Sequence, residues 1–174
     1  MRWVRTTKAD QRCRVLADRH YSRQTPGHPM WTRPGYVMIL YCEQRNGRAA
    51  VWCWWRPKWE DGRPGLQRKD GLRAIECTMF RNETRWRSSD LIRDAVALLA
   101  TWAHAIDVAW PDGLVTGINS VATAAGRHPS SRPGECFLQA GWKPFPHRAS
   151  KRADTWLRYV PPCPACPGGE ECGL

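Results

Sequence analysis

Two apolar segments on either side of an Asn-Gly dipeptide constrain the fold of this chain more than any other feature. The segments are YVMILYC at 36–42 and RAAVWCWW at 48–55, and the dipeptide is Asn46-Gly47. Asn-Gly favours the tight turns that join antiparallel strands, and both segments are rich in aromatic and β-branched residues. The sequence therefore predicts a β-hairpin over these residues.

The rest of the chain alternates between strand-like and helical patterns. The strand-like segments are residues 73–80, 113–119 and 155–160, and the helical ones are residues 6–20, 88–106 and 133–142. Two segments rich in Pro, Gly or small residues, 56–72 and 120–134, are predicted to be loops. Helices and strands in this order predict an α/β or α+β domain built around one mixed sheet.

The charge of the chain favours a polyanionic partner. The sequence has 27 Lys and Arg against 16 Asp and Glu, a formal charge of +11, and 22 of the basic residues are Arg. Arg binds phosphate through a planar guanidinium and stacks on bases, which makes nucleic acid the first candidate. The alternative is codon bias in a GC-rich genome, which accounts for Arg over Lys but not for the excess of positive charge.

Hydropathy gives no indication of a membrane or secreted protein. No run of 18 apolar residues occurs, and residues 1–12 lack the apolar centre of a signal peptide. We therefore expect a protein of the cytoplasm with no membrane partner.

Eight cysteines raise the question of disulfides or a metal site. Five of them lie within apolar or helical patterns, which favours buried reduced thiols; these are Cys13, Cys42, Cys53, Cys77 and Cys136. The other three, Cys163, Cys166 and Cys172, have CxxCx5C spacing in a Pro- and Gly-rich tail. A zinc site there needs a fourth ligand from elsewhere in the chain, so we favour a disordered tail with free thiols.

Three other segments carry a family resemblance. They are RHYSRQTPG at 19–27, ECTMFRNETRWRSSDLIRDA at 76–95, and the pair LVTGIN and PGECFLQAGWKPF between 114 and 145. In this order they resemble the GNAT acyltransferase superfamily, and within it the Mom-like DNA-modification proteins of phages. The resemblance implies a GNAT-like single domain over residues 1–160, with a central mixed, mostly antiparallel sheet flanked by helices. Residues 161–174 then form a separate Cys-, Pro- and Gly-rich tail.

The resemblance also places an acyl donor. In GNAT proteins the junction between a strand and the main helix binds the pyrophosphate of coenzyme A through backbone N–H groups and the helix dipole. The matching residues here are Arg81, Arg85, Arg87, Ser88 and Ser89. The glycines of the family pattern are absent from this junction, so the donor is expected to be acetyl-CoA or an aminoacyl-tRNA. The alternative is a Ser-capped helix with solvated arginines and no ligand.

The active site implied by the resemblance lies in the loop after the first helix. Mom-like proteins have a His-Tyr pair there and an acidic residue after a central strand, with iron as a candidate metal. This chain has His20 and Tyr21 at the first place and Asn119 at the second. Because Asn is a weak metal ligand, we favour a metal-free reaction with His20 as general base and Tyr21, Ser22 or Asn119 as hydrogen-bond donors. The alternative is that His20 is a structural residue at a helix end and that Tyr21 packs on the hairpin.

Basic and aromatic residues of the loops are predicted to contact DNA. Arg23, Trp31 and Arg33 are expected to stack on a base or hold phosphates, and the predicted phosphate contacts elsewhere are Arg127, His128, Arg132 and Arg148. We therefore expect a phage-type N-acyltransferase that modifies a nucleobase amine in DNA, with an anti-restriction role. A base in duplex DNA must be flipped out to react. Two alternatives stay open: an acetyltransferase of proteins or small amines, and a non-catalytic nucleic-acid-binding protein.

Overall fold

The computed structural model describes residues 2–57, 68, 70–105, 112–124, 132–147 and 154–160. These residues form an α+β fold in which a seven-stranded mixed sheet is flanked by helices. The strands are β1 Val4–Thr6, β2 Tyr36–Glu43, β3 Ala49–Arg56, β4 Ile75–Asn82, β5 Leu114–Ile118, β6 Lys143–Pro144 and β7 Thr155–Tyr159. The helices are α1 Gln11–Asp18, α2 Ser88–Ala105, α3 Ser120–Ala124 and α4 Glu135–Gln139.

The sheet is antiparallel apart from one central pair. Its strand order is β1-β2-β3-β4-β5-β7-β6, and only β4 and β5 run parallel. The predicted hairpin is confirmed, since β2 and β3 pair without interruption from Tyr36 opposite Arg56 to Glu43 opposite Ala49. Gly47 adopts a φ of 77° in the turn between them, a conformation open to glycine without strain.

Helices cover both faces of the sheet, which is why β2 and β3 are apolar at nearly every position. Side chains alternate between the faces of a strand. On one face α2 and α4 pack over residues such as Leu40 and Trp52. On the other face α1 packs over Ile39 and Val51. We call these the α2 face and the α1 face.

Three short elements were not predicted. The edge strands β1 and β6 have three and two residues, too few to produce a readable pattern. Helix α3 lies within residues 120–134, which the sequence predicted as a loop. Most of the predicted loop at 56–72 lies outside the described residues. Among the helices of the described chain, none combines the length and the apolar character of a bilayer span.

The parallel strands pair over only part of their length. Their register runs from Ile75 opposite Leu114 to Cys77 opposite Thr116, whereas β4 continues to Asn82. Beyond Thr116 the only strand that β5 pairs with among the described residues is β7. A gap therefore opens between β4 and β5 at the centre of the sheet.

Candidate active site

Two cavities meet at the gap between β4 and β5. The first cavity, of about 440 Å³, lies on the α2 face and is lined by β4, β5, α3, α4, His20 and Tyr21. The second cavity, of about 330 Å³, lies on the α1 face between β4 and the loop at residues 21–33. Both are lined by Tyr21, Cys77, Thr78, Met79 and Gly117. The two cavities therefore adjoin along these five residues.

A β-bulge shapes the wall that the cavities share. Cys53 lies opposite Met79 and Trp54 opposite Cys77, so Thr78 has no opposing residue in β3. Bulges bend a strand, re-aim its side chains and are common beside active sites. Across the gap, Gly117 has no side chain and leaves the junction open. The sequence carries no signal for this bulge, because residues 73–80 have an uninterrupted strand pattern.

His20 and Tyr21 occupy the turn after α1 and line the first cavity. His20 Nδ1 accepts the backbone N–H of Ser22 at 3.2 Å and lies 2.8 Å from Ser22 Oγ. Because Nδ1 accepts, the proton of the neutral ring is on Nε2. The Tyr21 ring packs beside the imidazole with 4.3 Å between ring centroids.

The surroundings of His20 keep its ring uncharged at neutral pH. Burial, with a smaller contribution from the positive charge of Arg81, lowers the pKa of His20 to about 4. An uncharged imidazole is the form that accepts a proton. Ser22 lines the second cavity, so its hydroxyl can relay a proton from that cavity to His20 Nδ1.

A cluster of two arginines and a glutamate fixes this turn to β4. The Glu83 carboxylate accepts Arg19 Nη2 at 2.7 Å and Arg81 Nε at 2.6 Å, and Arg81 also donates to the Arg19 carbonyl. The hydrogen bonds from Arg19 and then Arg81 lower the pKa of Glu83. Arg81 lines the first cavity, but its guanidinium is engaged in this cluster and positions the turn that carries His20.

Arg23, a predicted DNA contact, lines the second cavity and is bonded within the chain. Its side chain is 7 % exposed, and its Nε donates to Asp18 Oδ1 at 2.7 Å. Its other nitrogens donate to the carbonyls of His28 and Met30, while Asp18 Oδ2 accepts the Gly27 N–H at 2.9 Å. Arg23 therefore holds the Pro-Gly loop in shape, because its guanidinium is buried and bonded within the chain rather than open to phosphate.

Trp31 and Arg33 differ in how far their side chains are exposed. Trp31 is 6 % exposed and lines the second cavity, and its indole N–H donates to the Lys8 carbonyl at 2.9 Å. Arg33 is half-exposed, lines the second cavity and lies 5.2 Å above the Trp55 ring. Of the two, only Arg33 has a side chain that can reach a ligand phosphate.

Asn119, a predicted hydrogen-bond donor of the site, lies at the start of α3. Its Oδ1 accepts the Ala122 N–H at 2.8 Å and its carbonyl accepts the Thr123 N–H at 3.0 Å, so Asn119 caps α3. Asn119 lines neither cavity.

The implied iron does not fit this arrangement. His20 Nδ1 already accepts the Ser22 N–H, and Asn119 lines neither cavity and caps α3. Within the described part of the chain, no three His, Cys, Asp or Glu residues are grouped to hold a metal.

The junction before α2 offers backbone donors to an anion. Ser88 begins α2, lines the first cavity and accepts Asn82 Nδ2 at 3.0 Å. No described residue accepts a hydrogen bond from the backbone N–H groups of Ser88 and Ser89. The Ser89 side chain is buried and lines neither cavity, so Ser89 contributes its N–H group alone. Free N–H groups at a helix N-terminus favour bound phosphate.

Four exposed arginines border this junction, and we call them the basic rim. They are Arg85 and Arg87 before α2, with Arg45 and Arg48 of the β2–β3 turn. The two loops are in contact, since the Arg85 N–H donates to Gln44 Oε1 at 3.1 Å. None of the four pairs with a carboxylate of the described chain, so the rim is a positive surface. The sequence predicted Arg85 and Arg87 but not the two turn arginines.

Other predicted residues lie away from the cavities. Arg132 is exposed, precedes α4 and lines neither cavity. Arg127, His128 and Arg148 lie outside the described residues, as do Cys163, Cys166 and Cys172. Four cysteines, Cys13, Cys42, Cys53 and Cys77, are buried free thiols as predicted, whereas Cys136 is partly buried and lines the first cavity.

Sequence reasoning missed one charged residue of the site. Glu76 lies in β4, is 5 % exposed and lines the second cavity. Arg33 and Arg68 both donate to its Oε2, at 2.9 and 2.8 Å. A glutamate within a strand-like segment suggests an exposed position, so only the fold reveals that this carboxylate is buried.

No protein-family model, curated protein or solved structure matches this chain. Its function is therefore argued from the two cavities and the residues that line them.

Proposed function

We propose that this protein is a GNAT-like N-acyltransferase that modifies a nucleobase amine in DNA. The observation that supports this most is the pair of cavities that meet at Tyr21, Thr78 and Gly117. Direct transfer requires a donor and an acceptor to touch while each occupies its own site. A sheet that is open at its centre, with one cavity on each face, supplies that arrangement.

The sheet topology supports the GNAT-like assignment. The sheet is antiparallel apart from β4 and β5, and the gap beyond that pair adjoins the N-terminus of α2, at 18 residues the longest described helix. The sequence resemblance places donor binding at the same strand-to-helix junction.

We assign the acyl donor to the first cavity. Main-chain groups of β4 beyond Cys77 have no described strand partner on the gap side, so they can pair with an extended amide-bearing arm as with an added strand. The N–H groups of Ser88 and Ser89, with the basic rim beside them, suit the donor's phosphates. Acetyl-CoA and an aminoacyl-tRNA both carry phosphates, and the donor is one of these two.

Transfer begins when the acceptor amine attacks the acyl carbonyl carbon. A C–N bond forms, and the C–S bond of acetyl-CoA or the C–O bond of an aminoacyl-tRNA breaks. Ser22 Oγ takes the amine proton and passes its own to His20 Nδ1, 2.8 Å away. Tyr21 lines both cavities and protonates the leaving sulfur or oxygen, after which the proton on His20 restores the phenol through solvent.

Charge and aromatic lining support a DNA base as the acceptor. The net charge of +11 and the basic rim favour a polyanion. Tyr21, Trp31 and Trp156 line the second cavity, and enzymes that flip a base out of the duplex hold it against such side chains. A modified base that resists restriction enzymes gives the protein an anti-restriction role.

The experiment is mass analysis of nucleosides from DNA of cells that express the protein. Wild type is expected to add a mass increment to one nucleoside, and His20→Ala to remove it. His28→Ala, on the exposed part of the same loop, is the matched control and is expected to keep the increment. DNA without an increment in the wild-type sample contradicts the proposal.

The second candidate is a non-catalytic nucleic-acid-binding protein. The basic rim and the absence of glycines before α2 favour it. Salt-dependent DNA affinity without any increment would select this candidate, and an increment on a protein or small amine would select an acetyltransferase of those substrates.

A further inference from the structure

Glu76 lines the second cavity and has one carboxylate oxygen with no hydrogen-bond donor among the described residues. Its Oε2 is held by Arg33 and Arg68, whereas no described residue donates to Oε1. The residue as a whole is 5 % exposed. Oε1 can therefore accept a hydrogen bond from a ligand in the cavity, and a hydrogen bond to a charged group is stronger than one to a neutral group.

A network of side chains holds Oε2 of Glu76. The Arg68 side chain is 3 % exposed and binds Asp70 through Nε at 3.0 Å and Nη2 at 2.5 Å. His147 Nε2 lies 3.0 Å from Asp70 Oδ2. Because both arginines approach Glu76 on Oε2, the carboxylate cannot turn Oε1 toward them without breaking both contacts.

The rest of the second cavity suits a flat ring. Its wall includes Tyr21, Trp31 and Trp156, whose faces and edges pack well against a planar heterocycle. An exocyclic amine on such a ring donates to a carboxylate, as cytosine N4 and adenine N6 do. A ring carbonyl in the same place is repelled by the negative charge. A lysine ammonium also pairs with a carboxylate but has no ring to stack.

We propose that the second cavity binds an amine-bearing nucleobase and that Glu76 Oε1 selects the base by accepting a hydrogen bond from its exocyclic amine. This inference rests on the proposed function and names the residue that determines its acceptor. Glu76 orients the amine toward the junction at Thr78 and Gly117, where the first cavity begins.

Glu76→Gln reverses the hydrogen-bonding character of the cavity. Arg33 and Arg68 are donors, so they retain the amide oxygen and leave the amide NH₂ facing the cavity. The variant therefore repels an amine and favours a ring carbonyl. A residue that only neutralises the two arginines would show no such reversal of preference.

The test measures binding of nine-nucleotide single strands of thymine with one central base. The central base is adenine, purine (which lacks the amine) or hypoxanthine (which has a carbonyl in its place). Wild type is expected to bind the adenine strand about 10- to 100-fold tighter than the purine strand, the range for one hydrogen bond to a charged group. Glu76→Gln is expected to lose this preference and to bind hypoxanthine tighter than adenine. Cytosine and pyrimidin-2-one form the second matched pair of central bases.

Glu43→Gln is the matched control. It removes an exposed carboxylate at the end of β2, at a residue that lines neither cavity and lies outside the Glu76 network, and is expected to keep the wild-type preference. If Glu76→Gln does not fold, Glu76→Asp retracts the carboxylate by one methylene and is expected to reduce the preference. Equal binding of all strands by wild type overturns the inference, as does a preference unchanged in the Glu76 variants or lost equally in Glu43→Gln. Competition by a lysine peptide but not by free nucleosides also overturns it.

The outcomes separate this inference from the proposed function. If Glu76 controls the base preference but no nucleoside shows a mass increment, base selection by Glu76 is supported and acyl transfer is refuted. If Glu76→Gln still produces the mass increment on the same base, acyl transfer is supported and base selection by Glu76 is refuted.

Discussion

Replacing His20 should remove an acid-dependent loss of stability. The native pKa of His20 is about 4, lowered mainly by burial from its ordinary value of 6.5. The native state therefore favours the neutral ring, and the unfolded chain takes up the proton first as the pH falls. The stability contributed by the neutral ring is complete above about pH 6.5 and is lost as the pH falls from there through about 4.

The magnitude follows from the two pKa values. At pH 5 the unfolded histidine is almost fully protonated, whereas the native one is mostly neutral. Integrating proton binding from pH 7 to pH 5 gives a loss of about 2 kcal/mol in the free energy of unfolding from His20 alone. Carboxyl groups such as Asp10, whose pKa is lowered to about 2 chiefly by a hydrogen bond from Arg12, titrate below this range.

The assay is urea unfolding followed by tryptophan fluorescence at pH 7 and pH 5. We expect the change in unfolding free energy between the two pH values to be about 2 kcal/mol smaller in His20→Gln than in wild type. His28→Gln, in the exposed part of the same loop, is expected to match wild type. Equal pH dependence in wild type and His20→Gln would refute the environment described for this ring.

Four other predictions concern activity and the loops. The kcat/KM of transfer should hold from pH 7 to about pH 5 and fall near the His20 pKa of about 4, measured as a pH profile. Asn119→Ala should cost about 1 kcal/mol of stability by denaturant unfolding and Asn119→Ser much less, both with kcat near wild type, because Asn119 caps α3. Arg23→Ala should lose more stability in denaturant unfolding than Arg12→Ala, since the Arg23 side chain is 7 % exposed whereas the Arg12 side chain is 61 % exposed. Gly134→Ala should cost about 2 kcal/mol more than Gly47→Ala in thermal unfolding, because a Cβ at Gly134 meets Ile118 Cδ1 at 2.5 Å whereas one at Gly47 meets nothing within 4 Å.

Each of these has a result that contradicts it. An acid limb near pH 6.5 would show that His20 is not held neutral by its surroundings. A large fall in kcat for both Asn119 variants would show that Asn119 takes part in catalysis. Similar losses of stability in Arg23→Ala and Arg12→Ala would show that the Arg23 side chain is not buried. Similar losses of stability in Gly134→Ala and Gly47→Ala would show that a Cβ at Gly134 has open space beside it.

Local signals in the sequence were sufficient for most of the fold. The hairpin was predicted because its turn dipeptide and both strands are contiguous, and the long helix because its capping serines precede a periodic segment. The gap between β4 and β5 had no such signal. It depends on where two strands about 35 residues apart in the chain stop pairing, which is a matter of tertiary packing.

The residues of the candidate site also divide into those that local sequence identifies and those that depend on tertiary packing. His20 and Tyr21 could be placed after the first helix, and they line the first cavity. Arg23 could not be read as structural, since its partner Asp18 meets it only once the loop closes. Asn119 could have been recognised as a cap from the helix-forming residues after it. Glu76 could not be identified, because its burial depends on Arg33 and Arg68 from other parts of the chain.

The most direct test closes the junction between the cavities. Gly117 lies opposite Trp156 on the same face of the sheet, so Gly117→Val adds a side chain where the second cavity meets the first. Nucleosides from DNA of expressing cells are then compared by mass for wild type and Gly117→Val, with folding of the variant verified by its unfolding transition. We predict a mass increment with wild type and none with a folded Gly117→Val protein. An increment of equal size with the folded variant would show that acyl transfer does not pass through this junction.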